Sequence, residues 1–188
     1  FRHQVLTACE NKDMVSTNFI ARSRYRAGYL VKKKDQYHPS RLEFIKNILT
    51  AISRSSVKRA VFISSTTVLV PIESEIKKAK LESEDLIKNS KLDFTILRPS
   101  MIYGTPDDRN FSKMINFIKK RGFFIVFGNG NNLIQPVYVD DVASAIASSL
   151  ENPVTYGKTY EISGKSPFIY KQIWVFFRRL VSPLIPYQ

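Results

Sequence analysis

Four hydroxyl side chains in a row, Ser64-Ser65-Thr66-Thr67, follow the apolar run Arg59-Ala60-Val61-Phe62-Ile63. Hydroxyls at the carboxyl end of a buried strand can hydrogen-bond a substrate oxygen. The same residue types also serve ordinary turns, where they satisfy free backbone groups. The other reactive side chains are scattered. Cys9 is the only cysteine and has no paired histidine, so it reads as a small packing residue. His3 and His38 are isolated, and no Cys, His, Asp or Glu cluster has metal-ligand spacing, so no metal is expected.

The elements that must position these residues follow from periodicity. Ser40 with Glu43 forms a capping box, followed by Leu42, Ile45, Ile48, Leu49 and Ile52 at helical spacing. Ser55-Ser56 ends that helix. Arg59 to Ser64 reads as a buried parallel strand. A second helix is expected from Ser74 to Asn89, with Ile76, Ala79, Leu86 and Ile87 inward. Asp93 to Arg98 is another buried strand, stopped by Pro99. Asn110 to Lys120 is helical, Phe123 to Phe127 extended, Gly128 to Asn132 a turn, and Ile134 to Val139 extended around Pro136. Asp140 caps a helix over 141–150, Thr159 to Gly164 is a last strand and turn, and residues 170–180 form an amphipathic helix. Ahead of Ser40 the pattern is weak. Val5 to Ala8 could be a short strand, and the basic, tyrosine-bearing stretch Arg22 to Lys34 reads as irregular. Strands alternating with helices of this length predict an α/β fold with a parallel sheet. In such sheets ligands sit at the carboxyl ends of the strands.

The motifs in order are Val57-Lys58-Arg59-Ala60-Val61-Phe62-Ile63-Ser64-Ser65, Lys80-Leu81-Glu82-Ser83-Glu84 and Leu92 to Gly104 with its Leu97-Arg98-Pro99-Ser100-Met101-Ile102-Tyr103-Gly104 end. Gly128-Asn129-Gly130 and Gln135-Pro136-Val137-Tyr138-Val139-Asp140-Asp141-Val142-Ala143 follow. This set resembles the extended and atypical short-chain dehydrogenase/reductase families, the NAD-dependent epimerase/dehydratase group typified by nucleotide-sugar epimerases. The resemblance covers residues 40 to about 164. It implies a Rossmann-like parallel sheet flanked by helices, with a small C-terminal substrate lobe made of residues 100–135 and 165–188. Residues 1–39 would be an irregular or truncated N-terminal part of this single domain.

The resemblance also implies roles. Ser65, with Thr66 beside it, would orient the substrate. Lys80 would bind the cofactor ribose and lower the pKa of a catalytic tyrosine. Ser64, Pro99, Ser100 and Met101 would lie on the cofactor, and Tyr103 near the strand ends is the tyrosine left to serve catalysis. Arg109 could meet a substrate phosphate, and Gln135 holds the place of an arginine that pairs with the diphosphate. Asp140 and Asp141 would cap a helix and anchor the lobe. The cofactor implied is NAD or NADP.

Three departures qualify this. The family tyrosine belongs four residues before the lysine, and Ile76 stands there. No Gly-x-x-Gly-x-x-Gly occurs, although such a loop admits the pyrophosphate to backbone amides. Gln135 replaces a charge-assisted bond by a neutral one. The chain is therefore expected to bind a dinucleotide weakly and turn over little, either because it starts after the first strands or because it is a degenerate member.

Composition bounds the rest. Over 188 residues, 44% are apolar and 24% charged, which excludes a disordered, collagen-like or coiled-coil chain. No long uncharged apolar run predicts a membrane span. With no signal-peptide pattern at Phe1, the cytoplasm is the expected compartment. The 29 basic against 16 acidic residues give +13, a field that attracts phosphate-bearing ligands or nucleic acid. An NAD(P)-dependent oxidoreductase or epimerase/dehydratase-like protein acting on a nucleotide sugar or similar small molecule leads. The alternative is a non-enzymatic nucleic-acid-binding or assembly module on the same scaffold, and a homodimer is allowed.

Overall fold

The computed structural model describes residues 38–104, 111–123, 126 and 128–172. The expectations for Val5–Ala8, Arg22–Lys34 and Arg109, and for most of Phe123–Phe127 and 170–180, lie outside the described residues. The chain divides into two compact units, Phe1–Pro99 with Asp140–Ile162, and Ser100–Val139 with Ser163–Gln188.

The first unit is a βα-type sheet. Helix α1 (His38–Ser53) leads into β1 (Arg59–Ile63), a 3-10 turn (Thr66–Leu69), α2 (Glu75–Lys88) and β2 (Asp93–Pro99). Strand β6 (Lys158–Ile162) completes a three-stranded sheet in the order β1-β2-β6, every pair parallel. One face carries Ala60, Phe62, Phe94 and Ile96. Ile48 and Ile52 of α1 and Ile87 of α2 pack on it. The opposite face carries Val61, Thr95 and Leu97, all buried. There Arg59 reaches the helix α4 (Val139–Glu151), whose Val142 and Ile146 are fully buried. Each such aliphatic side chain is worth about 1.5–3 kcal/mol when withdrawn from water.

Several local expectations are corrected. Helix α1 starts at His38, so Ser40 lies inside it rather than capping it. Helix α4 starts at Val139, so Asp140 sits in its first turn instead of capping; a carboxylate there still suits the helix dipole. Pro99 is the last residue of β2, paired with Ile162, rather than lying beyond the strand. Ile76, in the first turn of α2, is 45% exposed and not core; α2 meets β2 two turns later, where Glu84 reaches Arg98. β1 holds Ala60 and Val61 in the interior, but Ile63 at its carboxyl end is 37% exposed.

The second unit is built from short pieces. β3 (Ile102–Tyr103) pairs in parallel with β5 (Val137–Tyr138), and β4 (Leu133–Ile134) pairs antiparallel with β7 (Phe168–Ile169). The single extended run expected over 134–139 is split at Gln135-Pro136, where proline offers no N–H to a ladder. Helix α3 (Phe111–Arg121) buries Phe111 and Ile118 against Met114, Ile115, Ile134 and Tyr170.

Candidate functional site

In the first unit the candidate site lies where β1 and β2 end. Ser64 continues the ladder, its N–H donating to the Leu97 carbonyl at 2.7 Å. Its hydroxyl is buried and has no hydrogen-bond partner of good geometry. Ser65 caps the 3-10 turn: its Oγ accepts from the Thr67 N–H at 3.2 Å and lies 2.8 Å from Thr67 Oγ1. Turn chemistry therefore occupies Ser65 as an acceptor. When Thr67 donates to it, the Ser65 proton is left for another oxygen. Thr66 is the first residue of that turn and is half-buried.

Helix α2 returns along the sheet. Ser74 caps it, with Oγ accepting from the Lys77 N–H, and Asn89 closes it. Lys77 pins the preceding loop, its Nζ donating to the Val70 carbonyl at 2.9 Å and to Glu73 Oε1 at 2.7 Å. Ile87 packs at Phe94 and Ile96, while Glu84 meets Arg98, so the helix runs antiparallel to β2. Residues four apart share a helix face. Lys80 therefore stands one turn, about 6 Å, beyond the Glu84–Arg98 contact, past the end of β2, and Ile76 one turn further. Lys80 is half-buried.

Glu84 and Arg98 lie within the sequence motifs, with no role expected of either. Arg98 Nε donates to Glu84 Oε1 at 3.0 Å and Nη2 to Oε2 at 2.6 Å, a bidentate pair. Glu84 is 1% exposed. Burial pushes its carboxyl up, but the bonds from Arg98 and the influence of Ser64, together with the Arg98 and Lys88 charges, outweigh burial and hold the pKa low. The Glu84 hydrogen bonds raise the Arg98 pKa against the opposing effect of burial. The signal in the sequence was a charge at the end of a buried strand, which must find a partner, with a carboxylate at the right end of a neighbouring helix.

Arg59, at the opposite end of the sheet, was also missed. It donates to the Asp93 carbonyl at 2.6 Å, to Thr95 Oγ1 at 2.7 Å, to Thr155 Oγ1 at 3.0 Å and to the Ser149 carbonyl. Its guanidinium lies 4.3 Å from the Tyr156 ring centroid. Burial lowers its pKa, opposed by Tyr156 and Asp93.

The second unit holds Ser100, Met101, Tyr103 and Gln135. Ser100 Oγ donates to the Gln135 carbonyl at 2.6 Å, and Gln135 Nε2 donates to the Gly164 carbonyl at 2.6 Å. The Gln135 amide is thus engaged with backbone. Met101 is 37% exposed and its carbonyl accepts from the Val137 N–H at 3.0 Å. Tyr103 is 40% exposed, 5.4 Å from the Tyr138 ring and 5.7 Å from the Phe111 ring by centroid. Among the described residues no group of His, Cys, Asp or Glu could hold a metal ion, and no helix is long and apolar enough to cross a membrane.

A family described as NAD(P)H-binding matches residues 2–153. The chain belongs to that NAD(P)H-binding family. NAD or NADP is accordingly its cofactor class, and the match reaches back well before residue 40, where the sequence reading began the resemblance. It is also similar to members of the short-chain dehydrogenase/reductase and epimerase groups. It is 36% identical over 124 residues to the NADH dehydrogenase [ubiquinone] 1 alpha subcomplex subunit 9, mitochondrial, of Arabidopsis thaliana, across 65% of this chain and 31% of that protein. It is 27% identical over 197 residues to short-chain dehydrogenase/reductase family 42E member 1 of Xenopus laevis, across 85% and 50%. The UDP-glucuronic acid 4-epimerase of Bacillus cereus, solved with UDP-glucuronic acid and NAD, superposes with a TM-score of 0.69 at 23% identity, across 80% of this chain and 54% of that one. That likeness shows the fold, a Rossmann-type parallel sheet flanked by helices. The chain spans half or less of the length of these two relatives.

The residues present fit the cofactor class in part. The buried Ser64 hydroxyl, which helps to hold the Glu84 pKa low, is a polar group at the carboxyl end of the sheet, whereas the sequence carries no glycine-rich loop for a pyrophosphate.

Proposed function

We propose that the chain is an NAD(P)-dependent oxidoreductase or epimerase/dehydratase-like protein that takes a nucleotide sugar or similar small molecule and turns it over slowly. The observation behind this is the face of α2 on which Ile76, Lys80 and Glu84 follow one another, with Glu84 locked to Arg98. Lys80 would hold the cofactor ribose from this face, and Ser65 with Thr66 would orient a substrate oxygen. Ser64, Pro99, Ser100 and Met101 would line the nicotinamide, which supplies hydride chemistry when bound. The unit of Ser100–Val139 and Ser163–Gln188 would be the substrate lobe, with Arg109 as its phosphate contact. Gln135, spent on Gly164, would serve the lobe's shape more than a diphosphate.

Slow turnover follows from Ile76, which cannot transfer a proton; general acid–base catalysis is typically worth about 100- to 10,000-fold. Tyr103 is the remaining proton donor. The test is incubation of the full chain with NAD or NADP and UDP-sugars, followed by product analysis. Slow epimer or keto-sugar formation supports the reading; dinucleotide binding with no turnover of any sugar refutes the enzymatic part.

Ile76 also favours a second reading, in which the chain holds a dinucleotide inside a larger assembly without turning it over. The Arabidopsis relative is named as a subunit of NADH dehydrogenase and as mitochondrial. On this reading the compartment is the mitochondrion rather than the cytoplasm, and co-purification with partner subunits tests it.

A further inference from the structure

Helix α3 (Phe111–Arg121) has the sequence FSKMINFIKKR, with no acidic residue. Its inner face, Phe111, Met114, Ile115 and Ile118, belongs to the core of its unit. The outer face is unusual. Lys113, Phe117, Lys120 and Arg121 recur at helical spacing there, and Lys119 flanks them. All four cations are exposed, and Phe117 is 39% exposed. The helix closes on Gly122, whose N–H donates to the Ile118 carbonyl at 2.8 Å and whose φ of +71° is the left-handed stop that glycine allows. That turn brings Phe123, 51% exposed, back against Phe117. The rings meet edge to face, centroids 5.5 Å apart at 84°.

Cations in a last helical turn suit the helix dipole, which accounts for Lys119, Lys120 and Arg121. It does not account for Lys113, nor for two phenylalanines held together in water. Among the described residues none of the four cations has a carboxylate partner. We propose that this face docks on an anionic lipid surface, with Phe117 and Phe123 entering the headgroup–acyl boundary and Lys113, Lys119, Lys120 and Arg121 meeting the headgroups. Paired apolar wedges ringed by cations match that boundary, which offers charge and hydrocarbon in successive layers. Single-stranded nucleic acid is a poorer match, because it wants open ring faces for stacking, and here one ring's edge covers the other's face. This docking is independent of the dinucleotide site.

The test is flotation of the full chain with vesicles of phosphatidylcholine alone and of phosphatidylcholine mixed with phosphatidylglycerol. The chain should float with the mixed vesicles only, and less as salt rises. Lys120→Glu with Arg121→Glu should weaken that binding at least about tenfold. Phe117→Ser with Phe123→Ser should weaken it by a similar factor, about tenfold, with thermal melting confirming that each variant is folded. Equal flotation with both vesicle types, or charge-reversed protein that floats as well as the parent, overturns the proposal. So does a face that retains an RNA oligonucleotide or an acidic peptide through the same residues while no vesicle floats it.

Discussion

Glu84 and Arg98 grip each other through two parallel hydrogen bonds, 3.0 and 2.6 Å, with the carboxylate almost wholly out of water. The pair fastens α2 to the last turn of sheet before the strand ends. It thereby fixes the height at which Lys80 and Ile76 stand above them. Removing Glu84 leaves the largely buried Arg98 charge, among the described residues, with only a 4.0 Å contact to the exposed Glu161. Glu84→Ala should cost about 3–5 kcal/mol in urea-induced unfolding; a loss under 1 kcal/mol would mean the pair is solvated in solution.

The same pair makes stability depend on pH. The folded Glu84 pKa lies below its unfolded value of about 4.3. Its contribution is therefore fully present above that value and is lost as pH falls through the lower folded pKa. Unfolding free energy measured across the acid range should fall less steeply in Glu84→Gln than in the parent. Identical acid slopes would show that other carboxylates govern the transition.

Arg59 fastens the other end of the sheet, joining β1, β2, the last turn of α4 and the Thr155–Tyr156 segment through one guanidinium. Arg59→Lys keeps the charge and loses the planar fork. It should lower stability by about 1.5–3 kcal/mol while leaving dinucleotide affinity unchanged, since Arg59 sits at the far end from Ser64. A changed affinity at unchanged melting temperature would contradict that division.

Gly104 follows β3 with φ +116°, and a Cβ there would run into the Tyr138 ring. Gly104→Ala should cost on the order of 1–3 kcal/mol and disturb the Tyr103–Tyr138 contact, seen as a shift of both ring resonances by NMR. Unmoved resonances would mean that the backbone relaxes without touching Tyr138.

The proton-transfer account makes its own demand. Ile76→Tyr restores a titratable hydroxyl one helical turn beyond Lys80, on a side chain already 45% exposed. Turnover of an accepted UDP-sugar should rise at least about tenfold, with binding of the dinucleotide little altered. No increase would place proton transfer elsewhere, with Tyr103 the first candidate.

Much of this was legible in the sequence for physical reasons. Ala60-Val61-Phe62 and Phe94-Thr95-Ile96-Leu97 are apolar at every position but Thr95 because helices cover both sides of a parallel sheet. Ser74 and Asn89 bounded α2 because capping chemistry is local. Long-range pairing was not legible. Nothing near Glu84 announces Arg98, and nothing near Arg59 announces Ser149 or Thr155, since these partners meet only once the sheet exists. The spacing of Ile76 fits the helix stripe, yet Ile76 is 45% exposed in the first turn of α2, two turns before the helix meets β2 at Glu84. Gln135 was read toward a ligand, yet its amide turns to Gly164, whose backbone approach to Pro136 leaves no room for a Cβ.

The central claim, that the Lys80 face of α2 holds the dinucleotide, is tested most directly by calorimetric titration of NAD and NADP into the full chain and into Lys80→Met. The account predicts saturable one-to-one binding of at least one dinucleotide by the parent, weak for want of a glycine loop, and at least about tenfold weaker binding by Lys80→Met, with thermal melting confirming that the variant is folded. Equal binding by the two proteins would contradict it, as would no heat from either dinucleotide with the folded parent.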